Sequence, residues 1–294
     1  MPERITRVGI LTALHKPHAE ESTHALVRAL HEGGAQVLVD ERMADLGLEG
    51  CEYCPRADWG RHSELIIAMG GDGTLLAATR AAGPAGCPVL GVDLGGFGFL
   101  AERKLEHVIE ALPALLAGEF ETDDRMMLSA QVQAGDEGRG EYFALNDVVI
   151  GKSEPMRLVH LDAWVDGNFV TDYPADGLIV STATGSTAYN LSAGGPLVDP
   201  LLDCFILVPI CAHSLYTRPL VISPRSELRV VLCARSKPNP PIGLTVDGQV
   251  NVPLGPGEDI LITAAPFRAR LVRLGGGDGF YGRLREKLNW GVER

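Results

Sequence analysis

The 294-residue sequence has no apolar run approaching the roughly 18 residues that a membrane-spanning helix needs. Its first residues, MPERITRVGILTALHKPH, contain too short an apolar stretch and no small-residue cleavage site for a secretory signal. We therefore expect a soluble, cytoplasmic protein without a membrane partner. Internal repeats and low-complexity segments are also missing, and the 46% hydrophobic share excludes a mainly disordered chain.

Lysine is scarce, with 5 lysines beside 21 arginines, and the formal net charge is −12. This acidic balance argues against nucleic acid as the main partner, because binding to a phosphate backbone needs basic patches. Small phosphorylated ligands are not excluded, since they need only a few local donors and often a metal ion.

The six cysteines are scattered and do not form the spacing of a disulfide framework. Cys51 and Cys54 form one CxxC motif, but no second pair follows at zinc-site spacing. His62 could join them, yet a fourth ligand would have to come from elsewhere. We therefore interpret these residues as ordinary reduced thiols in a loop.

Residues 1–120 alternate strand and helix patterns. Apolar runs that predict buried strands are separated by helical periodicity over Pro17–Gly33, from Asp72 to Ala82 and over Leu105–Leu116. The runs are RVGILTAL, QVLVD, ELIIAM and PVLGVD. Such alternation is typical of a parallel sheet with helical crossovers, so we predict a Rossmann-like α/β domain here.

From residue 121 to 277 the pattern changes to short β-strands. Asp166-Gly167 and Asp247-Gly248 lie between apolar runs, as in tight hairpins, and Gly135–Gly140 is predicted to be a hairpin loop. One strand is expected over Tyr142–Ile150. This half is predicted to be a β-sandwich-like domain, and residues 278–294 are expected to carry a terminal helix.

The sequence Gly70-Gly71-Asp72-Gly73-Thr74 lies between a predicted strand and a predicted helix. Glycines at such a turn let the backbone approach a ligand, and the helix N-terminus presents amides to phosphate. Asp72 could simply cap the helix. A carboxylate in a phosphate cradle also suits a base for an attacking hydroxyl, or a group that faces magnesium.

Two further stretches are rich in glycine or hydroxyl groups. Gly91–Leu100 contains four glycines and Phe99, which offers an apolar face to a ring. Asp176–Pro200 combines glycines, hydroxyls, a tyrosine and acids, which suits ribose, amide or phosphate recognition. Asn146 and Asp147 interrupt an apolar run, and either an internally satisfied bulge or ligand contacts explain them.

These motifs, in this order and spacing, resemble those of the bacterial NAD kinases. The resemblance rests on GGDGT, Asn146-Asp147, DGLIVSTATGSTAYNLSAGGP and PICAHSLYTRPLV, and extends to Asp247-Gly248-Gln249. It implies phosphorylation of the adenosine ribose 2′-hydroxyl of NAD by ATP or polyphosphate, with magnesium or another divalent metal. It also implies a homodimer or homotetramer, and a C-terminal helix in residues 278–294 that packs back on the first domain.

By position, the resemblance implies that Asp72 is the catalytic base. Asp147 stands where the family usually has glutamate, which shortens the reach of this carboxylate. The residues implied to contact the nucleotides are Asp72, Gly73, Phe99, Asn146, Asp147, Arg157, Asp176, Thr187, Ala188, Tyr189, Ser192 and Gln249.

Two other functions are compatible with parts of the pattern. GGDGT followed by a β-rich domain also occurs in lipid kinases, although the TGSTAY segment does not favour them. A catalytically idle NAD(P) sensor would keep the pocket, but an intact Asp72 argues against it.

Overall fold

The computed structural model describes residues 4–95, 98–100, 103–135, 137–152, 158–233, 241–255, 257–275 and 279–289. The chain divides into two compact units. The first contains residues 1–124 and 267–294, and the second contains residues 125–266.

The first unit begins with five strands and four helices in alternation. They are β1 (Arg7–Thr12), α1 (Ala19–Glu32), β2 (Gln36–Asp40), β3 (Cys51–Cys54), α2 (Trp59–His62), β4 (Leu65–Gly70), α3 (Asp72–Ala82), β5 (Val89–Asp93) and α4 (Leu105–Leu116). The five strands are parallel, in the order β3-β2-β1-β4-β5.

Both faces of this parallel sheet are covered by helices. Val8 and Ile10 of β1 pack in one apolar cluster with residues of α1 and α4, whereas Leu11 packs in a second cluster with residues of α2 and α3. Burial on both faces explains why the strands are almost continuously apolar, as in other sheets of this kind. The predicted α/β architecture is confirmed.

The second unit is built from antiparallel strands with one short helix. The elements are β6 (Glu121–Ala134), β7 (Glu137–Ala144), β8 (Asp147–Lys152), β9 (Val159–Val165), β10 (Asn168–Ala175), β11 (Gly177–Ser181), α5 (Tyr189–Ser192), β12 (Phe205–Ile210), β13 (Leu220–Ile222), β14 (Leu228–Leu232), β15 (Ile242–Val246) and β16 (Val250–Leu254).

The chain ends with β17 (Glu258–Arg273), which runs from the second unit into the first, and α6 (Gly279–Leu288). The first part of β17 pairs with β14, and Leu271 pairs with Val89 of β5.

Two sheets sandwich the core of the second unit. One has the order β13-β12-β11-β8-β15-β16, and the other contains β10-β9-β14-β17 together with β6 and β7. Alternate residues of both sheets, including Phe205, Leu161 and Ile260, form one buried cluster. The prediction of an antiparallel, two-sheet arrangement is confirmed.

Two local predictions for this half were wrong. The single strand expected over Tyr142–Ile150 is broken, because β7 ends at Ala144 and β8 begins at Asp147. The loop expected over Gly135–Gly140 is mostly strand, since β7 begins at Glu137 and pairs with β6 through a register shift. Glycine accommodates that irregularity at low steric cost.

Within the described ranges, no helix is both long and apolar enough to cross a membrane.

Candidate active site

The GGDGT sequence forms the turn from β4 into α3, at the carboxyl edge of the parallel sheet. A Cβ on Gly70 would lie 2.2 Å from Thr74 Oγ1 and 2.8 Å from Ala13 Cβ, so only glycine fits there. Gly71 caps α3, and Asp72 is the first residue of the helix. Asp72 therefore does not cap the helix as its N-cap residue.

Asp72 is instead held by the loop that follows β5. Its Oδ2 accepts the Phe99 amide N–H at 2.7 Å, and its Oδ1 accepts the Leu100 N–H at 2.9 Å. Two amide donors fix the orientation of the carboxylate. Phe99 itself is half-buried, and Gly73 lies exposed beside Asp72.

Gly98 makes this arrangement possible, because a Cβ there would lie 2.4 Å from Asp72 Oδ1. We expect Gly98→Ala to push the carboxylate off its two amides and to lower kcat by about 10²-fold, the cost typical of a misplaced catalytic group. Gly275→Ala is the matched control, since a Cβ at that position meets no atom within 4 Å. Steady-state kinetics with unchanged kcat for Gly98→Ala would show that this placement of Asp72 is unimportant.

In the second unit, the break between β7 and β8 presents Asn146 and Asp147. Both are buried, and the backbone around them is bonded from two sides. Thr182 Oγ1 donates to the Leu145 carbonyl at 2.6 Å, while Asp247 Oδ1 accepts the N–H groups of Asn146 (2.8 Å) and Asp147 (3.2 Å). Within the described part of the chain, Asn146 Oδ1 is buried without a hydrogen-bond partner.

The Asp147 carboxyl lies in an unusual electrostatic environment. Burial, together with the nearby Asp247 carboxylate, raises the pKa of Asp147 to about 7. The group can therefore donate or accept a hydrogen bond near neutral pH. Buried polar groups at the break in the strand suit hydroxyl recognition.

The TGSTAYNLS segment follows β11 as one 3-10 turn, Thr184–Thr187, and then α5. Thr187 and Ala188 are half-buried, while Tyr189 and Ser192 are exposed. Buried Asn190 donates to the carbonyls of Ser186 and Pro196 and so fixes the curvature of the segment; the Ser186 hydroxyl bonds the Val198 backbone and is not presented as a nucleophile.

Gly185 brings this segment against the strand break. A Cβ there would lie 2.2 Å from the Asn146 carbonyl oxygen and 2.5 Å from Ser181 Oγ. We expect Gly185→Ala to lower the free energy of unfolding by about 1–3 kcal/mol, the usual cost of overpacking. Chemical denaturation beside Gly138→Ala, where a Cβ meets no atom within 4 Å, tests this. Equal stability of the two variants would contradict the close packing.

The remaining predicted contacts are placed as follows. Asp176 accepts a hydrogen bond from Lys152 Nζ at 2.5 Å. Gln249 is exposed after the Asp247-Gly248 turn, with its amide bonded to the Val246 carbonyl. Arg157 lies outside the described residues.

The CxxC motif lies on an edge strand, not in a loop as expected. Cys51 packs with the cluster on one face of the parallel sheet and Cys54 with the cluster on the other. Burial raises the pKa of both thiols. Thiols on opposite faces of a strand cannot jointly bind zinc or exchange as a redox pair.

Two family models together match most of the chain. Residues 8–120 match the ATP-NAD kinase N-terminal domain, and residues 145–274 match the ATP-NAD kinase C-terminal domain. The chain belongs to the NAD kinase family.

Curated NAD kinases are similar over nearly the full length. The NAD kinase of Moorella thermoacetica is 43% identical over 98% of this chain and 91% of the relative, and that of Koribacter versatilis is 40% identical over 97% and 98%. The chain is thus a phosphotransferase of the kinase class.

Solved structures of the family share the fold. Yeast NADH kinase complexed with NADH superposes with a TM-score of 0.87 at 26% identity, covering 99% of this chain and 90% of that one. An NAD kinase from Archaeoglobus fulgidus in complex with ATP gives a TM-score of 0.74 at 25% identity, covering 97% and 99%.

The described residues of this NAD kinase family member do not form a binding site for a magnesium ion. In the described part of the chain, no three His, Cys, Asp or Glu side chains are grouped so that they could hold a metal ion. Both oxygens of Asp72 already accept amide N–H groups. The described residues therefore do not fit a protein-bound magnesium ion.

Three residues of this family member were not singled out from the sequence as functional. The sequence pattern indicates only a turn at Asp247, and it indicates only a polar stretch at Thr182 and Asn190. Their side chains bond the backbone that carries the predicted contacts. The Asp-Gly hairpin signal located Asp247, but its bonds to residues about one hundred positions away in sequence have no local signature.

Proposed function

We propose that this chain transfers the terminal phosphoryl group of ATP or polyphosphate to the 2′-hydroxyl of the adenosine ribose of NAD, giving NADP. The observation that carries the proposal is the placement of Asp72. Asp72 is the first residue of α3, directly after a glycine turn. Its carboxylate accepts two backbone amides of another loop and does not cap the helix. The choice of NAD and of the phosphoryl donor as substrates follows from membership of the NAD kinase family.

In this proposal Asp72 is the catalytic base. The 2′-hydroxyl oxygen attacks the terminal phosphorus, a new P–O bond forms, and the bond from that phosphorus to the bridging oxygen breaks. ADP, or the shortened polyphosphate, leaves with the bonding electrons, and the hydroxyl proton moves to the Asp72 carboxylate. Each oxygen of that carboxylate keeps a lone pair besides the one that accepts an amide.

The phosphates of the donor are assigned to the turn at Gly71–Gly73. Amides in the first turn of α3 point out of the helix, and the helix dipole favours negative charge there. Exposed Gly73 allows close approach, since it has no side chain. In an acidic protein with few lysines, amides and the cation carried by the donor supply the positive charge.

Recognition of NAD is assigned to the following residues. Asn146 and Asp147 offer buried acceptors and a proton that suit ribose hydroxyls, and Phe99 offers an apolar face to adenine. The remaining proposed NAD contacts are Gly73, Arg157, Asp176, Thr187, Ala188, Tyr189, Ser192 and Gln249.

A coupled assay with an NADP-specific dehydrogenase tests the proposal. Purified protein with NAD, magnesium and either ATP or polyphosphate is expected to form NADP with at least one donor. Phosphorylation of a diacylglycerol acceptor without NAD turnover would instead support the lipid kinase. Calorimetric NAD binding without turnover under either donor would support the idle sensor.

Two further proposals concern the state of the protein. We expect a cytoplasmic homodimer or homotetramer with no nucleic-acid or membrane partner. Light scattering after size exclusion measures the mass of the assembly, and a monomer at micromolar concentration would contradict that proposal.

A further inference from the structure

The Asp247 carboxylate accepts hydrogen bonds from three consecutive backbone amides that are distant in sequence. Its Oδ1 accepts the N–H groups of Asn146 at 2.8 Å and Asp147 at 3.2 Å, and its Oδ2 accepts that of Leu145 at 3.2 Å. The Asp247 amide donates in return to the Asp147 carbonyl at 2.9 Å.

To make this contact, Asp247 adopts an unfavourable backbone conformation. Asp247 has a φ of 49°, a left-handed conformation that few non-glycine residues adopt, and it is 7% exposed. It lies at the turn between β15 and β16, and β15 pairs with β8, which begins at Asp147. The turn therefore carries the carboxylate directly to the strand break.

The break needs such an acceptor. Residues 145 and 146 lie between the end of β7 and the start of β8, and buried amides without hydrogen-bond partners are destabilising. The Leu145 carbonyl accepts a hydrogen bond from the Thr182 hydroxyl, and the Asn146 carbonyl accepts one from the Ser181 hydroxyl. With the backbone held from both sides, Asn146 Oδ1 stays buried without a hydrogen-bond partner among the described residues, and it is available to a ligand hydroxyl.

We propose that Asp247 is a positioning residue for NAD: it holds the Asn146–Asp147 break in the geometry that binds the ribose hydroxyls. The inference rests on the proposed function, because it names how the acceptor substrate is oriented. Asp247 itself is not proposed to touch the reacting atoms.

The effect of the Asp247 charge on Asp147 follows from the groups that face Asp147. Among the described residues, Asp247 is the charged group near it, while β11 contributes the hydroxyl of Ser181, which lies opposite Asp147 in the register. A second carboxylate at close range disfavours ionisation of the first, in addition to burial. Removing the Asp247 charge must therefore lower the pKa of Asp147.

Two substitutions separate the parts of this role. Asp247→Asn keeps an oxygen acceptor and tolerates the left-handed backbone, but removes the charge. Asp247→Ala removes both the acceptor and the charge. The matched controls are Asp166→Asn and Asp166→Ala, because Asp166 has a φ of 50° at the other Asp-Gly hairpin and also accepts a backbone N–H, from Glu227, on an exposed site.

For Asp247→Ala we expect the KM for NAD to rise by about 10-fold or more, as for loss of buried hydrogen bonds, with the KM for ATP nearly unchanged. For Asp247→Asn we expect the inflection of kcat/KM for NAD to move to lower pH, with a smaller rise in KM. The Asp166 variants are expected to keep both values. Rescue by asparagine but not alanine would separate positioning from general loss of structure.

Unchanged KM for NAD and an unmoved pH profile in a folded Asp247→Asn protein would overturn the inference. If Asp247→Ala fails to fold, the asparagine variant alone decides between these results. If the wild type makes no NADP, the proposed function fails, but calorimetric NAD affinities across pH still test the inference. Equal affinities in the wild type and the asparagine variant at each pH would then overturn it.

Discussion

Asp72→Asn is expected to lower kcat by about 10²–10⁴-fold, the contribution typical of a general base. In activation free energy this corresponds to about 3–5 kcal/mol. Asparagine keeps the size of the side chain and one oxygen for the Phe99 or Leu100 amide, but it cannot take the proton of the attacking hydroxyl. NAD binding should be nearly unchanged, since the substitution removes a proton acceptor rather than a contact surface.

Asp93→Asn is the control for this prediction. Asp93 ends β5 at the same edge of the sheet, and its carboxylate accepts the Gly95 amide at 2.9 Å. Its substitution removes a negative charge nearby without removing the proposed base. Comparable rates for Asp72→Asn and the wild type, with NAD binding retained in both, would remove Asp72 from the role of base.

The second large effect is a dependence of stability on pH that comes from Asp147. Its folded-state pKa is about 7, above the ordinary value of 3.8. Between these two values the unfolded chain releases a proton that the folded protein keeps, so the stability contributed by this group falls as pH rises. Above pH 7 both states are ionised and the loss is complete.

The contribution of Asp147 is isolated by subtracting the free energy of unfolding of Asp147→Asn from that of the wild type. It should decrease by about 3 kcal/mol as the pH is raised from about 5 to 8, at 1.36 kcal/mol per unit of pKa difference. Urea denaturation of both proteins at matched ionic strength measures it. A difference that stays constant or grows with pH would mean that Asp147 is ionised in the folded protein throughout.

The regular part of the fold was predictable because its signals are local. The strand Gln36–Asp40 and the helix Leu105–Leu116 were predicted with the bounds observed, since continuous apolar runs and helical spacing each describe burial along a single element. Strand β3, CEYC, was missed, because an edge strand with two exposed residues lacks a continuous apolar pattern.

The lengths of strands were harder to predict than their positions. Strand β17 extends from Glu258 to Arg273, through residues with exposed, charged side chains such as Arg268. Such residues pair through the backbone, so their side chains give no apolar signal. Tertiary pairing decides where these strands end.

The candidate site was predictable where chemistry is concentrated in one segment. GGDGT and the TGSTAY segment combine glycines and polar groups densely enough to be identified from sequence. The contacts that hold the site residues in place could not be predicted from sequence. The Asp72 carboxylate accepts the amides of residues 99 and 100, and the Asn146 amide donates to the carboxylate of residue 247. Both contacts depend on chain segments that only the fold brings together.

The position of the phosphate in the product tests directly whether the 2′-hydroxyl of the adenosine ribose is the acceptor. Product formed from NAD and magnesium-ATP can be isolated and examined by phosphorus–proton correlation NMR. We predict that the new phosphorus couples to H2′ of the adenosine ribose. A new phosphate coupled to any other position, or the absence of a phosphorylated dinucleotide with both ATP and polyphosphate, would contradict it.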